Sequence, residues 1–125
     1  MLGSSCALAD IVVIANPASG EKITRDEAIN IFMGRYKKLP SGMTALPVDE
    51  SGEKAAFYHS LLGKELSEIQ SYWARLVFSG QGSPPRQMDS ADEVIETVAN
   101  NKGAIGYIDR KKVTARVRVV LELSP

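Results

Sequence analysis

Cysteine and histidine are almost missing from this chain, with one of each, Cys6 and His59, in 125 residues. A single cysteine excludes an internal disulfide framework. The pair also supplies no cluster with the spacing of a zinc site, so neither a metal nor another cofactor is expected. Net charge is missing too: Lys plus Arg and Asp plus Glu each total 15. A general nucleic-acid binder carries a basic excess or stripe for its phosphate contacts, so a nucleic-acid partner is not expected. Aromatics are 6% of the chain and scattered, which removes the stacking platform of a single-strand binder. No apolar run reaches the roughly 20 residues of a membrane-spanning helix. Catalytic signatures are also lacking, since the sequence holds no nucleophile elbow, no Gly-Lys-Ser phosphate loop and no paired-histidine metal motif.

The first residues carry an address. Met1 to Ala9 is small and apolar, and Ala7-Leu8-Ala9 before Asp10 matches the A-x-A pattern at which signal peptidase cuts. The basic start of a full signal peptide is not there, so residues 1–9 read as a signal-peptide remnant and 10–125 as one domain, exported and periplasmic. Cys6 would leave with the remnant. A lipid-bearing Cys6 fits less well because Gly3 stands three positions before it, where a bulky apolar residue belongs. An ordinary N-terminal tail is the plainer explanation.

Beyond Asp10 strands and helices alternate. Ile11-Val12-Val13-Ile14 is β-branched and continuous, as a strand buried on both faces requires, and it stops at Asn16-Pro17. Thr24-Arg25-Asp26-Glu27 has capping-box spacing before an apolar face that ends at Gly34. Thr44 to Val48 reads as a second strand. Ser51 is placed to cap a helix holding Ala55, Ala56, Phe57, Leu61 and Leu62, closed by Gly63. Ser67 to Gln70 and Ser90 to Glu93 offer two more capping boxes, for helices through Trp73 and Val94. The loop 79–85, with two glycines and two prolines, separates them. Gly103 to Ile108 is a short strand with glycines where backbone or ligand comes close. Val113 to Leu123 alternates, with Val117, Val119 and Leu121 on one side and Arg116, Arg118 and Glu122 mostly on the other. This order predicts an α/β fold, a three-layer sandwich around a mostly parallel central sheet of about five strands.

Ligands of such sheets sit beyond the carboxyl ends of strands, near helix N-termini. The stretch Pro47 to Phe57 would lie there, as a strand, a Ser-Gly turn and the open start of a helix whose first N–H groups face outward. Ser19-Gly20 and Gly106-Tyr107 are expected near the same edge. Taken alone, such a turn is more often an ordinary capped helix.

Four features occur together here. They are the helix end Ile31-Phe32-Met33-Gly34, the run Pro47-Val48-Asp49-Glu50-Ser51-Gly52 followed by Phe57, the tryptophan Trp73, and Asn101-Lys102-Gly103-Ala104-Ile105-Gly106-Tyr107. In this order they resemble the second lobe of the type 2 periplasmic substrate-binding proteins, specifically the phosphate-binding proteins of ABC uptake systems. The resemblance implies a single lobe of that fold, export to the periplasm and a small anion such as phosphate held at Asp49, Ser51, Gly52 and Glu53. The family's turn reads Arg-x-Asp-Gly-Ser-Gly-Thr. Here Pro47 stands in the arginine's place, Glu50 replaces the first glycine and Glu53 the threonine, while Asp49, Ser51 and Gly52 match. Losing a guanidinium and gaining two carboxylates opposes a dianion.

Two binding readings follow. One is an exported single-lobe relative that holds a small anion weakly, or as a homodimer in which a second copy supplies the other lobe. The other is a degenerate lobe serving as an interaction module for an envelope sensor or transporter. Enzyme activity ranks behind both, because Glu53 and His59 are six residues apart and share no helix face. The basic groups Arg35-Lys37-Lys38 and Arg110-Lys111-Lys112 read as solvated turns, and Arg116 with Arg118 as charge on an edge strand.

Overall fold

The computed structural model describes residues 10–19 and 22–123. Cys6, the Ala7-Leu8-Ala9 cleavage pattern and Gly20 lie outside them. Five strands, β1 (Ile11–Ala15), β2 (Leu46–Glu50), β3 (Arg86–Met88), β4 (Ala104–Asp109) and β5 (Arg118–Leu123), form one sheet in the order β3-β2-β4-β1-β5. Helices α1 (Arg25–Phe32), α2 (Lys54–Leu62) and α3 (Leu66–Phe78) cover one face, and α4 (Ala91–Asn100) covers the other. The sheet is mostly parallel. β3, β2 and β4 run together, β5 shares their direction, and β1 alone is reversed, antiparallel to both β4 and β5.

The continuous apolar run of β1 has the meaning its composition predicts. Ile11, Val13 and Ala15 enter the core under α1, α2 and α3, while Val12 and Ile14 enter the core under α4. With both faces covered, no position of the strand is left for a polar side chain. Fully burying one such aliphatic side chain stabilises the fold by roughly 1.5–3 kcal/mol.

Helix boundaries follow local chemistry at three ends. The Thr24 hydroxyl accepts the Glu27 N–H at 3.1 Å and the Glu27 carboxylate accepts the Thr24 N–H at 2.8 Å, a complete capping box. Ser90 accepts the Glu93 N–H at 3.2 Å. Gly63 ends α2 with φ 68°, a conformation that costs a residue with a Cβ. The cap of α3 departs from expectation. Glu65 in extended conformation, with Glu68 three residues on, forms the box two positions ahead of Ser67, and the Glu68 carboxylate accepts the Glu65 N–H at 3.0 Å.

Two further features depart from the sequence reading. β3 is a three-residue edge strand emerging from the Pro84-Pro85 segment, too short and too polar to stand out. In β5 the register slips, with Val13 opposite Leu121 but Ile14 opposite Val119. Val120 is therefore an extra, bulged residue. As a result Val117 and Val119 face α4 while Val120 and Leu121 face the other core, which breaks the expected single side of Val117, Val119 and Leu121.

Three glycines are steric requirements, and the tightest is Gly103, where a Cβ would collide with the Thr44 carbonyl oxygen. A Cβ on Gly106 would lie 2.7 Å from the Val94 side chain, so this glycine lets α4 approach β4. Gly34 has φ 78°, and a Cβ there would lie 2.7 Å from the ring of Trp73. The glycine in the strand thus serves helix packing.

Candidate functional site

The four parallel strands end at one edge. There β2 passes through Asp49 and Glu50 into a 3-10 turn, Ser51–Glu53, which leads directly into α2. β4 ends at the same edge in a second 3-10 turn, Arg110–Lys112. Ile11, where β1 begins, pairs with both Asp109 and Leu123. The chain therefore enters and leaves the sheet at the edge that carries the Ser-Gly turn.

Ser51 does not cap the helix with its side chain. The turn begins at Ser51 itself, so the extended residue in front of it is Glu50, and the Ser51 hydroxyl donates instead to the Met88 carbonyl at 2.9 Å. That bond pins the turn to the end of β3. Gly52 is exposed, and a Cβ built on it would meet nothing within 4 Å. The space beside Gly52 is therefore open, with the positive end of α2 behind the turn. Among the described residues neither the Glu50 nor the Glu53 carboxylate accepts a hydrogen bond, so the turn is not closed over by its own acids.

Alternation along β2 sends its two acids to opposite faces. Asp49 points into the core beneath α2 and is 1% exposed. Its Oδ1 accepts the Tyr58 and Tyr107 hydroxyls, each at 2.9 Å, its Oδ2 accepts the Gln87 amide at 2.9 Å, and the Lys54 ammonium stands 3.7 Å from Oδ2. Burial pushes the Asp49 carboxyl above its ordinary value, opposed by the two tyrosines, Lys54 and Gln87. Burial, reinforced by Asp49, pushes both tyrosine hydroxyls up, so they stay protonated donors. Phe57 stacks on the Tyr107 ring at 3.7 Å and 7°, locking that donor in place.

Glu50 turns to the other face. It is 6% exposed, and its Oε1 has no hydrogen-bond partner among the described residues. Burial raises its pKa, Glu53 and Asp109 raise it further, and Lys112 opposes them. The turn 110–112 thus contributes a cation to this edge, which its ordinary appearance in the sequence concealed. Arg110 is committed elsewhere, to Glu122 at 2.6 Å and Asp10 at 3.7 Å.

Of the expected site residues, Ser51, Gly52 and Glu53 sit together on the turn, and Asp49 lies beneath them in the core. Tyr107 joins Asp49, while Gly106 faces α4. Ser19 is not at this edge. Because β1 is reversed, the loop after it lies at the opposite end, where the Ser19 hydroxyl donates to the Lys102 carbonyl ahead of β4. His59 lies exposed on α2, 4.0 Å from Glu65. Among the described residues no group of three or more His, Cys, Asp or Glu side chains is arranged to hold a metal ion, and no helix is long and apolar enough to cross a membrane.

No family model matches this chain, and no curated protein matches it by sequence. Solved structures do. An ABC-type phosphate transport receptor from Vibrio cholerae superposes with a TM-score of 0.69 at 19% identity, over 92% of this chain and 47% of its own. A proposed phosphate ABC transporter substrate-binding protein with bound phosphate from Clostridium perfringens gives 0.72 at 21%, over 96% and 50%. PstS from Borrelia burgdorferi gives 0.61 at 18%, over 82% and 41%. The chain spans about half the length of these proteins, and it has the fold of a single lobe of theirs.

Proposed function

We propose that this lobe is an exported, periplasmic solute-binding module related in role to the phosphate-binding proteins whose fold it shares, and that it holds a small oxyanion weakly at the Ser51–Glu53 turn. The observation that carries the proposal is the open space beside Gly52, on a turn at the start of a helix and at the edge where the four parallel strands end. The N–H groups of Ser51 and Gly52 are the anion's contacts, because the Glu53 N–H already closes the 3-10 turn on the Glu50 carbonyl. Asp49 acts from behind, through Tyr58 and Tyr107, by fixing β2 against α2 and β4.

Weakness follows from the charges. Glu50, Glu53 and Asp109 surround the edge, Lys112 offsets one of them, and Lys54 is engaged by Asp49. No arginine fork stands where Pro47 does. A second surface is therefore needed for tight binding. Ile11 and Leu123 meet at this edge, so a second copy, or a further lobe joined there, would face the turn. The proposal is binding without catalysis.

Isothermal titration with phosphate and sulfate tests it. Saturable heat that disappears in Gly52→Asp supports the reading; no heat and no shift in melting temperature with either anion overturns it. The alternative, a degenerate lobe that docks on an envelope sensor or transporter, draws on Phe78, a large apolar side chain 94% exposed beside half-exposed Val77 at the end of α3. Loss of partner capture in Phe78→Ser, with anion binding unchanged, would favour that reading.

A further inference from the structure

A groove lies away from the Ser51–Glu53 turn, between the end of α1 and the exposed side of α3. It encloses about 600 Å³, within the size range of small-molecule sites. Its floor is apolar, made by Met33, Leu62, Ile69 and Tyr72. Its rim is cationic. Arg35 enters from the chain just after α1, Lys64 from the turn between α2 and α3, and Arg75 from the far half of α3.

These cations are unevenly committed. Glu68 is the one carboxylate lining the groove, and it is already engaged, accepting the Glu65 N–H at 3.0 Å and standing 3.9 Å from the Lys64 ammonium. The Arg35 guanidinium reaches a neutral group, the Asn30 side-chain oxygen, at 3.4 Å. Among the described residues Arg75 has no side-chain partner. In a chain of zero net charge, a lining of three cations, Arg35, Lys64 and Arg75, against the single carboxylate of Glu68 is a local excess. Lys37 and Lys38 extend that excess along the adjoining surface next to Arg35, where the one carboxylate, Glu27, already accepts the Thr24 N–H, and they would steer an anion inward.

The carbonyls at the end of α1, which would repel an anion, are occupied. Met33 accepts the Tyr72 hydroxyl at 2.7 Å, and the Asn30 carbonyl accepts the N–H groups of Arg35 and Tyr36 at 2.8 and 3.0 Å. The Tyr72 bond also fixes α3 against α1, so the groove is held open by structure that needs no ligand.

We infer that this groove is a second binding site, specific for an organic anion with an apolar body, such as an aryl phosphate or aryl carboxylate. Arg35 and Arg75 clamp the charged head, and the floor takes the ring. A bare inorganic anion would leave that floor uncovered, and a neutral aromatic would leave both guanidinium groups without a partner, so each alone binds less well than the two joined.

Titration with 2-naphthyl phosphate, 2-naphthol and inorganic phosphate tests the inference. The expected result is saturable binding of the first, weakened by added salt, with neither of the others binding comparably. Each of Arg35→Gln and Arg75→Gln should weaken it by roughly tenfold, and Arg75→Lys should recover only part of the loss because it lacks the planar fork. Both arginines are exposed, and circular dichroism and melting temperature verify that the variants are folded. Gly52→Asp, which places a repelling carboxylate at the turn, should leave naphthyl phosphate binding unchanged. Absence of saturable binding, equal binding by the Arg35→Gln, Arg75→Gln double variant, or loss of binding in Gly52→Asp would each overturn the inference.

Discussion

The Tyr107 hydroxyl donates to the Asp49 carboxylate at 2.9 Å, joining the middle of β4 to the end of β2 inside the core. Tyr58 donates to the same oxygen from α2, so one buried acid holds two strands and a helix in register. Removing the acid leaves two buried hydroxyls and an amide without their acceptor. Asp49→Ala should therefore destabilise the fold by about 3 kcal/mol or more, and Tyr107→Phe by about 1–2 kcal/mol. Because both tyrosines share Oδ1, the Tyr58→Phe, Tyr107→Phe pair should be non-additive, which a double-mutant cycle from urea unfolding measures. The same carboxyl sets a pH dependence. Its pKa is raised in the fold, so between the ordinary value and the raised one the native state binds more protons than the unfolded chain, and stability falls as pH rises. Asp49→Asn should flatten that slope in unfolding curves taken from about pH 4 to pH 7.

Glu50 should impose a pH dependence on anion binding. Its pKa is raised, first by burial and then by Glu53 and Asp109, so acidification converts a repelling carboxylate beside the turn into a neutral donor. Sulfate affinity should rise as pH falls through this range, and Glu50→Gln should bind more tightly than wild type at neutral pH with the dependence flattened. Sulfate is the right probe because its own charge is constant there. An equal slope in Glu50→Gln would show that the acid does not face the anion.

Gly106 sets the distance between α4 and the sheet. Gly106→Ala brings a Cβ to 2.7 Å from Val94, and overpacking of this kind costs about 1–3 kcal/mol. Val94→Ala in the same chain should recover part of the loss. Thermal unfolding of the two single variants and the double variant gives the comparison.

Asn16 ties the reversed strand to α4. Its amide donates to the Val98 and Ala99 carbonyls at 3.1 and 3.0 Å, and its Oδ1 accepts the Ala18 N–H at 2.8 Å. Asn16→Ala should cost about 1–2 kcal/mol, with the half-buried Ala99 carbonyl losing its side-chain donor and the Val98 carbonyl left with the Asn101 N–H at 3.5 Å. Amide hydrogen exchange should speed up first in the last turn of α4.

The parts of this fold that a reader of the sequence recovers are those encoded within a few residues. The Thr24 and Ser90 caps, the Gly63 stop and the doubly buried run Ile11–Ile14 all follow from local chemistry. The reversal of β1 does not, because strand direction depends on partners nearly a hundred residues away, as in Ile11 with Asp109. That reversal carried Ser19 to the opposite edge from the Ser-Gly turn. The Val120 bulge is hidden for a related reason, since an apolar run such as Val119-Val120-Leu121 satisfies either register until Val13 and Ile14 select one. Of the site, the turn itself was legible and its surroundings were not. Alternation along Val48-Asp49-Glu50 already separates the two acids, and Tyr58 and Tyr107, aromatics with a polar tip, signal that a buried acceptor is needed. Which acid meets them is decided by the pairing of β2 with β4.

Ile11 and Leu123 face each other across one strand spacing. The start of β1 and the end of β5 are therefore neighbours, and a pull applied between these two residues would load the β1–β5 hydrogen bonds one after another from this end, as a zipper opens, instead of shearing them all at once.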